Sequence, residues 1–407
     1  MLALADGEGP EGLSPEDSPP EPSGLRFLGF TGMIDPLRVG VREAVAACHD
    51  AGIAVCMITG DHPVTAKAIS RDLGLVEQDA SEEVVTGREL EEMSPAQIQE
   101  VVKRVRVFAR VAPRQKLELV EALQAAGHYV AVTGDGVNDA PALRTANIGV
   151  AMGKAGTDVA REASELVISD DNFATIVGGV EEGRVAYDNI RKVIYLLVST
   201  GAAEVILVCL AFLDPNLPLP LLAVQLLWLN LVTNGIQGIA LAFEPGEEGV
   251  LKRQPRPPSE PVFNRLMIER TLVAAPVMAL VAFGAFKWMI ESGYEEAQAR
   301  NALLLLMVLF ENVHIGNCRS EMRSAFLMSP LRSPYLLGGA ALAFTVHVLT
   351  MYLPIGEQVL GIMPVDLSVW MMMVPLALTV LIAVEIHKLT WRLRYGHRKH
   401  DLPNQAD

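Results

Sequence analysis

Apolar residues follow two rhythms along this chain. Up to about residue 184 they form short runs between stretches of helical period; after it they form long, nearly unbroken segments. In the first part Leu25–Met33 predicts a strand ending at Ile34-Asp35-Pro36, and Val39–Ala51 has helical spacing. Ile53–Ile58 is a short, wholly apolar run of the kind that forms a buried parallel strand. It ends at Thr59-Gly60-Asp61, and Pro63–Leu73 follows as a helix with proline in its first turn. Val105–Ala109 (strand), Pro113–Ala126 (helix) and Tyr129–Val132 (strand) repeat the alternation, the last ending at Thr133-Gly134-Asp135. Ile148–Ala151 and Leu166–Ile168 complete the strands. The expected fold is an α/β doubly wound parallel sheet, whose functional loops lie at the carboxyl ends of strands. Asp35, Thr59-Gly60-Asp61 and Asp135 fall at such ends.

Six apolar segments follow: Ile190–Leu213, Leu219–Phe243, Leu266–Ile290, Ala302–Ile315, Leu336–Leu353 and Val369–Ile386. Most approach the ~20 residues that span a bilayer. The fourth is shorter, and polar residues extend it helically to about Cys318. Basic residues set the orientation. Arg184, Arg191 and Lys192 precede the first segment, and Lys252, Arg253, Arg256 and Arg265 separate the second and third. Arg319, Arg323 and Arg332 follow the fourth, and Lys388, Arg392, Arg394, Arg398 and Lys399 follow the sixth. The connections at 214–218 and 354–366 carry neither Lys nor Arg. The positive-inside rule therefore predicts an all-α six-helix transmembrane bundle, with the soluble part and both termini in the cytosol. A multi-pass protein of a bacterial plasma membrane is the expectation.

Composition adds little to this pattern. The net charge of −15 argues against a nucleic-acid partner. The four cysteines have no CxxC spacing, so neither a zinc site nor a disulfide framework is suggested, and Cys48 and Cys56 read as reduced core residues. Gly7–Gly24 is rich in Gly, Pro, Glu and Asp, the composition of a linker. The expected organisation is a linker at 1–24, an α/β domain at 25–184, a membrane domain at 185–390 and a basic cytosolic tail at 391–407.

Chemistry concentrates at the strand ends. Asp135, Asn138 and Asp139 form a compact polar cluster, and Gly134 and Gly136 let the backbone turn sharply and approach a ligand. Two carboxylates and an amide suit Mg²⁺, a hard cation that takes oxygen ligands and phosphate. Thr59-Gly60-Asp61 offers a hydroxyl and free N–H groups at a helix start, a setting for a phosphoryl oxygen. Lys116 is a candidate counter-charge for that group.

With these residues in view, the chain resembles the P-type ATPases of the haloacid-dehalogenase superfamily. IDPLR, MITGDHPVTAKAI, FARVAPRQK, TGDGVNDAPAL and DDNFATIVGGVEEGR resemble the family's phosphorylation domain in the correct order. The resemblance implies an ion pump driven by ATP, with Mg²⁺. It implies that Asp135 is the Mg²⁺ ligand, Thr59 and Gly60 with Asp61 the phosphoryl-binding loop, and Lys116 the neutralising lysine. Asn138 and Asp139 would orient the cluster, and Arg110 would contact nucleotide. The family's aspartyl nucleophile stands in a DKTGT string, which this chain does not contain. The nucleotide-binding domain and the first four membrane helices are missing as well, so the chain resembles a pump's carboxyl-terminal half. Met1–Ala5 looks like the last strand of the nucleotide-binding domain. The expected partners are the transported cation, the lipid bilayer and the amino-terminal half.

Polar residues inside apolar segments point to the cargo. Glu204 lies mid-segment in the first; Asn230 and Asn234 are four apart in the second, flanked by Thr233 and Gln237; Glu311, Asn312, His314 and Asn317 form a set in the fourth. Gly235 and Gly238 could loosen the second helix. QLLWLNLVTNG resembles the sixth membrane helix of the sarcoplasmic-reticulum-type calcium pump. The resemblance makes Glu204, Asn230 and Thr233 cation ligands. Gly201 and Asn234 stand where that pump has asparagine and aspartate. One carboxylate fewer leaves less charge for a divalent ion, and Glu311 could restore it. Ca²⁺ and a monovalent cation such as Na⁺, K⁺ or H⁺ both stay open. A non-catalytic membrane subunit is the competing reading, and a tethered phosphatase using Asp35 a third.

Overall fold

The computed structural model describes residues 2–7, 21, 23–32, 36–76 and 84–395. Asp35, most of the expected linker and the end of the basic tail lie outside them. The chain divides into two compact units, Met1–His49 with Ala54–Val177 and Asp50–Ile53 with Gly178–Asp407.

In the first unit β1 (Leu2–Asp6) and β2 (Arg26–Thr31) form an antiparallel pair. Helix α1 (Val41–Asp50) follows. β3 (Met57–Ile58), β4 (Val84–Thr86) and β5 (Val107–Ala109) make a parallel sheet in the order β3-β5-β4. β6 (Ala131–Gly134), β7 (Ile148–Met152) and β8 (Leu166–Ile168) make a second, in that order. Helices α2 (Pro63–Asp72), α3 (Gly87–Glu91), α4 (Pro95–Arg104), α5 (Pro113–Ala125), α6 (Ala140–Thr145) and α7 (Asp158–Glu162) alternate with the strands. Their starts are written locally. Pro63, Pro95 and Pro113 open first turns, and Thr86 with Glu89 and Ser94 with Gln97 form reciprocal capping boxes. Leu90, Ile98, Val102, Phe108 and Leu119 bury one core; Leu143, Ala151 and Ala160 bury another.

The expected parallel strands are present, but in two sheets rather than one. Residues 25–31 do not join them, because β2 takes β1 as its partner. β3 and β6 are both edge strands, and no described strand lies on their open sides to unite the sheets. The apolar run from Ile53 pairs only at Met57 and Ile58, where β5 is there to meet it. The sequence reading passed over residues 84–104, where β4 is too short to show alternation. Cys48 and Cys56 are free. Burial pushes both thiols up, at Cys56 against the opposing pull of Arg106, so neither ionises readily.

The second unit holds α8 (Phe173–Phe212), α9 (Ala223–Trp228), α10 (Asn234–Ala242), α11 (Arg265–Glu291), α12 (Glu296–Cys318), α13 (Pro334–Thr350) and α14 (Leu367–Tyr395). A π-helical turn, Leu229–Thr233, joins α9 and α10 into one 20-residue apolar helix. Among the described residues, five helices are long and apolar enough to cross a membrane. α13 occupies the fifth expected segment with 17 residues and falls short of that length. α12 is buried at every position from Ala302 to Phe310, as befits an interior helix that is apolar all round. The other helices expose large apolar side chains such as Leu231, Leu272 and Ile382, a surface suited to lipid.

Two features of the first unit are open to test. A Cβ at Gly156 would lie 1.9 Å from the Met152 carbonyl oxygen. Gly156→Ala should therefore cost roughly 1–3 kcal/mol, and thermal unfolding at the wild-type temperature would refute the close approach. The N–H groups of Lys154 and Ala155 donate to the Asp171 carboxylate at 2.9 and 2.7 Å, and these bonds hold its pKa below the ordinary range. With the folded pKa below the unfolded one, this stabilisation is present at neutral pH and fades as the pH falls through the folded value. Asp171→Asn should shallow the acid limb of the unfolding curve; an unchanged limb would count against that role.

Candidate functional sites

In the first unit the site is assembled from three loops. Where β3 ends, the Thr59 N–H donates to the Phe108 carbonyl at 2.9 Å. The turn closes on itself: Thr59 Oγ1 donates to Asp61 Oδ2 at 3.0 Å and accepts from the Asp61 N–H at 3.1 Å. It is tied to the loop after β5, with Arg110 N–H donating to Asp61 O at 3.2 Å and Val111 N–H to Thr59 O at 3.1 Å. Arg110 takes a left-handed φ of 51°. A Cβ on Gly87 would sit 2.3 Å from the Arg110 carbonyl, so only glycine leaves room for that turn.

Arg110 leads straight into α5, whose first turn carries Lys116. Its Nζ donates to Asp139 Oδ1 at 2.7 Å. The other Asp139 oxygen accepts the N–H groups of Asp135 and Gly136, each at 3.3 Å. Gly134 allows this: a Cβ there would lie 2.6 Å from the Asp139 Cβ. Asp139 is buried and committed, whereas Asp135 and Asn138 are exposed.

The structure thus brings Lys116, Asp135, Asn138 and Asp139 together, and separately gathers Thr59, Gly60, Asp61 and Arg110. No hydrogen bond joins the 59–61 and 135–139 loops among the described residues. Of the two carboxylates in this loop, Asp139 is engaged by Lys116 and the backbone, and Asp135 is the exposed one. No group of three or more His, Cys, Asp or Glu is placed to hold a metal among the described residues. One exposed carboxylate still fits Mg²⁺, which keeps water and substrate phosphate as its remaining ligands.

In the second unit, Asn230 Nδ2 donates to Glu204 Oε2 at 2.7 Å and Asn234 Nδ2 to Thr200 Oγ1 at 3.2 Å. Asn230 and Asn234 thus both reach α8, at residues one turn apart. Thr233 Oγ1 meets Glu311 Oε2 on α12, with one hydroxyl proton to share between that oxygen and the Leu229 carbonyl. The five expected residues Glu204, Asn230, Thr233, Asn234 and Glu311 therefore link three helices. Four of them are buried, and Asn230 is exposed. Glu204 Oε1, Asn234 Oδ1 and Glu311 Oε1 are buried with no hydrogen-bond partner. No Lys, Arg or His pairs with Glu204 or Glu311 among the described residues.

The helix is not loosened at Gly235 and Gly238, which lie in regular α10. The irregularity comes just before, at Leu229–Thr233, where two polar side chains take up backbone carbonyls. Thr233 Oγ1 lies 2.7 Å from Leu229 O, which competes with Glu311 for its proton, and Asn230 Nδ2 donates to Leu226 O at 3.0 Å. Sequence reasoning missed Thr200; its position one turn before Glu204 was the available signal. Glu321 is half-buried and pairs with Arg191 at 2.9 Å. Asn312 bonds only its own helix, at Val308 O.

Residues 9–147 match the family model described as haloacid dehalogenase-like hydrolase, and residues 218–390 the model for the cation-transporting ATPase C-terminus. The chain is 42% identical over 398 residues to a probable cation-transporting ATPase F of Mycobacterium tuberculosis, covering 97% of this chain and 44% of that protein. It is 42% identical over 351 residues to a calcium-transporting ATPase of Bacillus subtilis, covering 86% of this chain and 39% of the relative. It is 41% identical over 355 residues to cation-transporting ATPase pma1 of Synechocystis, with the same two shares. The chain spans less than half the length of these curated relatives. By these matches it belongs to the P-type cation-transporting ATPases, as a partial chain.

Proposed function

We propose that the chain is the carboxyl-terminal half of an ATP-driven pump that moves a cation across a membrane. The observation that carries this is the pair of buried carboxylates, Glu204 and Glu311. Each leaves one oxygen without a hydrogen bond, and neither has a basic partner. A buried unpaired charge is very costly, and a bound cation relieves it. Asn234 Oδ1, also unpartnered, would be a third ligand, and Asn230 and Thr233 orient the carboxylates. Two carboxylates can balance one divalent ion. The name of the Bacillus subtilis relative favours Ca²⁺, and a monovalent cation such as Na⁺, K⁺ or H⁺ is the alternative.

In the soluble unit Thr59 and Gly60 would receive a phosphoryl group, with Asp61 holding the Thr59 hydroxyl. Lys116 would neutralise that group, aimed by Asp139, with Asn138 beside it. Arg110 would contact ATP. Asp135 would hold Mg²⁺, which supplies charge neutralisation at the phosphoryl oxygens. The nucleophile is outside this chain. β3 and β6 both have open edges, and each ends in one of the two site loops. A strand carrying an aspartate and pairing with these edges would place it beside the strand ends that carry the two loops. The basic loops favour a cytosolic soluble unit, cytosolic termini and a bacterial plasma membrane.

Three outcomes are expected. The purified chain alone should form no acid-stable phosphoprotein with labelled ATP, and labelling would overturn the assignment of the nucleophile. In the full-length pump, Glu204→Gln should raise the half-activating cation concentration about tenfold or more; unchanged activation would sink the transport site. Lys116→Met should slow phosphoprotein formation by about 100-fold or more while leaving the cation dependence in place. A wild-type phosphorylation rate would remove Lys116 from the reaction.

A further inference from the structure

We infer that the hydrogen bond between Ser199 and His314 sets the separation of Glu204 and Glu311, making His314 a positioning residue for cation binding. The inference rests on reading those carboxylates as cation ligands.

Ser199 and His314 are fully buried, on α8 and α12, and His314 Nε2 lies 2.9 Å from Ser199 Oγ. Ser199 Oγ is also 2.6 Å from the Tyr195 carbonyl and 3.0 Å from that of Leu196. Carbonyls only accept, so the single hydroxyl proton goes to one of them. The lone pair facing His314 must then receive a proton, which makes Nε2 the protonated nitrogen. Nδ1 is left as an acceptor, and Asn317 Nδ2 lies 3.5 Å from it. The relay runs in one direction, from Asn317 through a neutral imidazole and Ser199 to the backbone of α8.

The surroundings hold this arrangement fixed. The Tyr195 ring packs against the imidazole at 5.2 Å between centroids, and the Arg270 guanidinium sits 4.1 Å above the Tyr195 ring. Arg270 on α11 and Lys388 on α14 both donate to the Asn317 carbonyl, at 3.0 and 3.3 Å, and Lys388 is also bonded to Glu385. Two cations at a helix carboxyl end complement its dipole and anchor α12. Ser199 is five residues before Glu204, about 7.5 Å along the helix, and His314 three after Glu311, about 4.5 Å. The clamp therefore lies within about two turns of each carboxylate. Metal–oxygen distances tolerate only a few tenths of an ångström, so a sliding of α8 against α12 would be read directly as lost affinity.

The test is a double-mutant cycle in the full-length pump, with ATPase activity titrated by CaCl₂, NaCl and KCl. Ser199→Ala and His314→Leu should each raise the half-activating cation concentration about fivefold or more, with the maximal rate nearly unchanged. The double variant should be no worse than either single one. His314→Gln, whose amide can still donate to Ser199, should restore most of the affinity. Multiplying effects, failure of the Gln rescue, or a fall in maximal rate at unchanged affinity would each overturn the clamp. If His314→Leu does not fold, Ser199→Ala and His314→Gln still decide between the outcomes. Glu204→Gln separates the two readings. If it shifts activation while the Ser199 and His314 variants do not, the clamp alone fails; if it shifts nothing, the transport site fails first.

Discussion

Everything in the membrane unit answers to the burial of two carboxylates that have no basic partner. The same bundle shows that a partner could have been supplied. Glu244 and Arg319 are both almost fully buried and meet at 2.9 Å, so each of those charges has an opposite one beside it. Arg270 and Lys388 are buried too, yet they are spent on carbonyls at the end of α12 rather than on Glu204 or Glu311. Leaving a buried carboxylate oxygen unpaired costs more than leaving a neutral group so, and a proton or a bound cation at Glu204 and Glu311 would lower that cost.

The π-helical turn belongs to the same economy of donors. In a regular helix the Leu226 and Leu229 carbonyls would be taken by backbone N–H groups alone. Here Asn230 and Thr233 also engage them, and the same two side chains reach across to Glu204 and Glu311. Each side chain thus couples a local distortion to the orientation of a carboxylate. The distortion sits inside a 20-residue apolar helix, with Leu229 and Thr233 buried and Asn230 and Leu231 exposed.

How much of this was legible in the sequence depends on the range of the interactions. Loops whose geometry is set within a few residues were read correctly in place: Thr59-Gly60-Asp61 closes on itself, and Gly134 is needed because Asp139 folds back over it five residues later. The helix starts at Pro63 and Pro113 are equally local. Arrangements that depend on distant partners were not legible. Nothing near Asp139 announces that Lys116, 23 positions earlier, will pair with it. Nothing near Ser199 announces a histidine 115 positions away. The polar set at Glu311, His314 and Asn317 was visible as a set, but not its division of labour, with Glu311 meeting Thr233, His314 meeting Ser199 on α8, and Asn317 meeting Arg270 on α11 and Lys388 on α14.

The division of the parallel strands into two sheets follows from the same logic. β5 is covered on both sides, by β3 and β4, and β7 by β6 and β8. The strands left with an open side include β3 and β6, and these are the two whose carboxyl ends carry Thr59 and Asp135. An open edge in a buried parallel sheet leaves backbone groups unpaired, a state that soluble proteins avoid by covering the edge. A single parallel strand between β3 and β6 would satisfy both edges at once and unite the sheets. The division into two sheets thus has a physical reason: each stops at an edge, β3 or β6, whose open side no described strand pairs with.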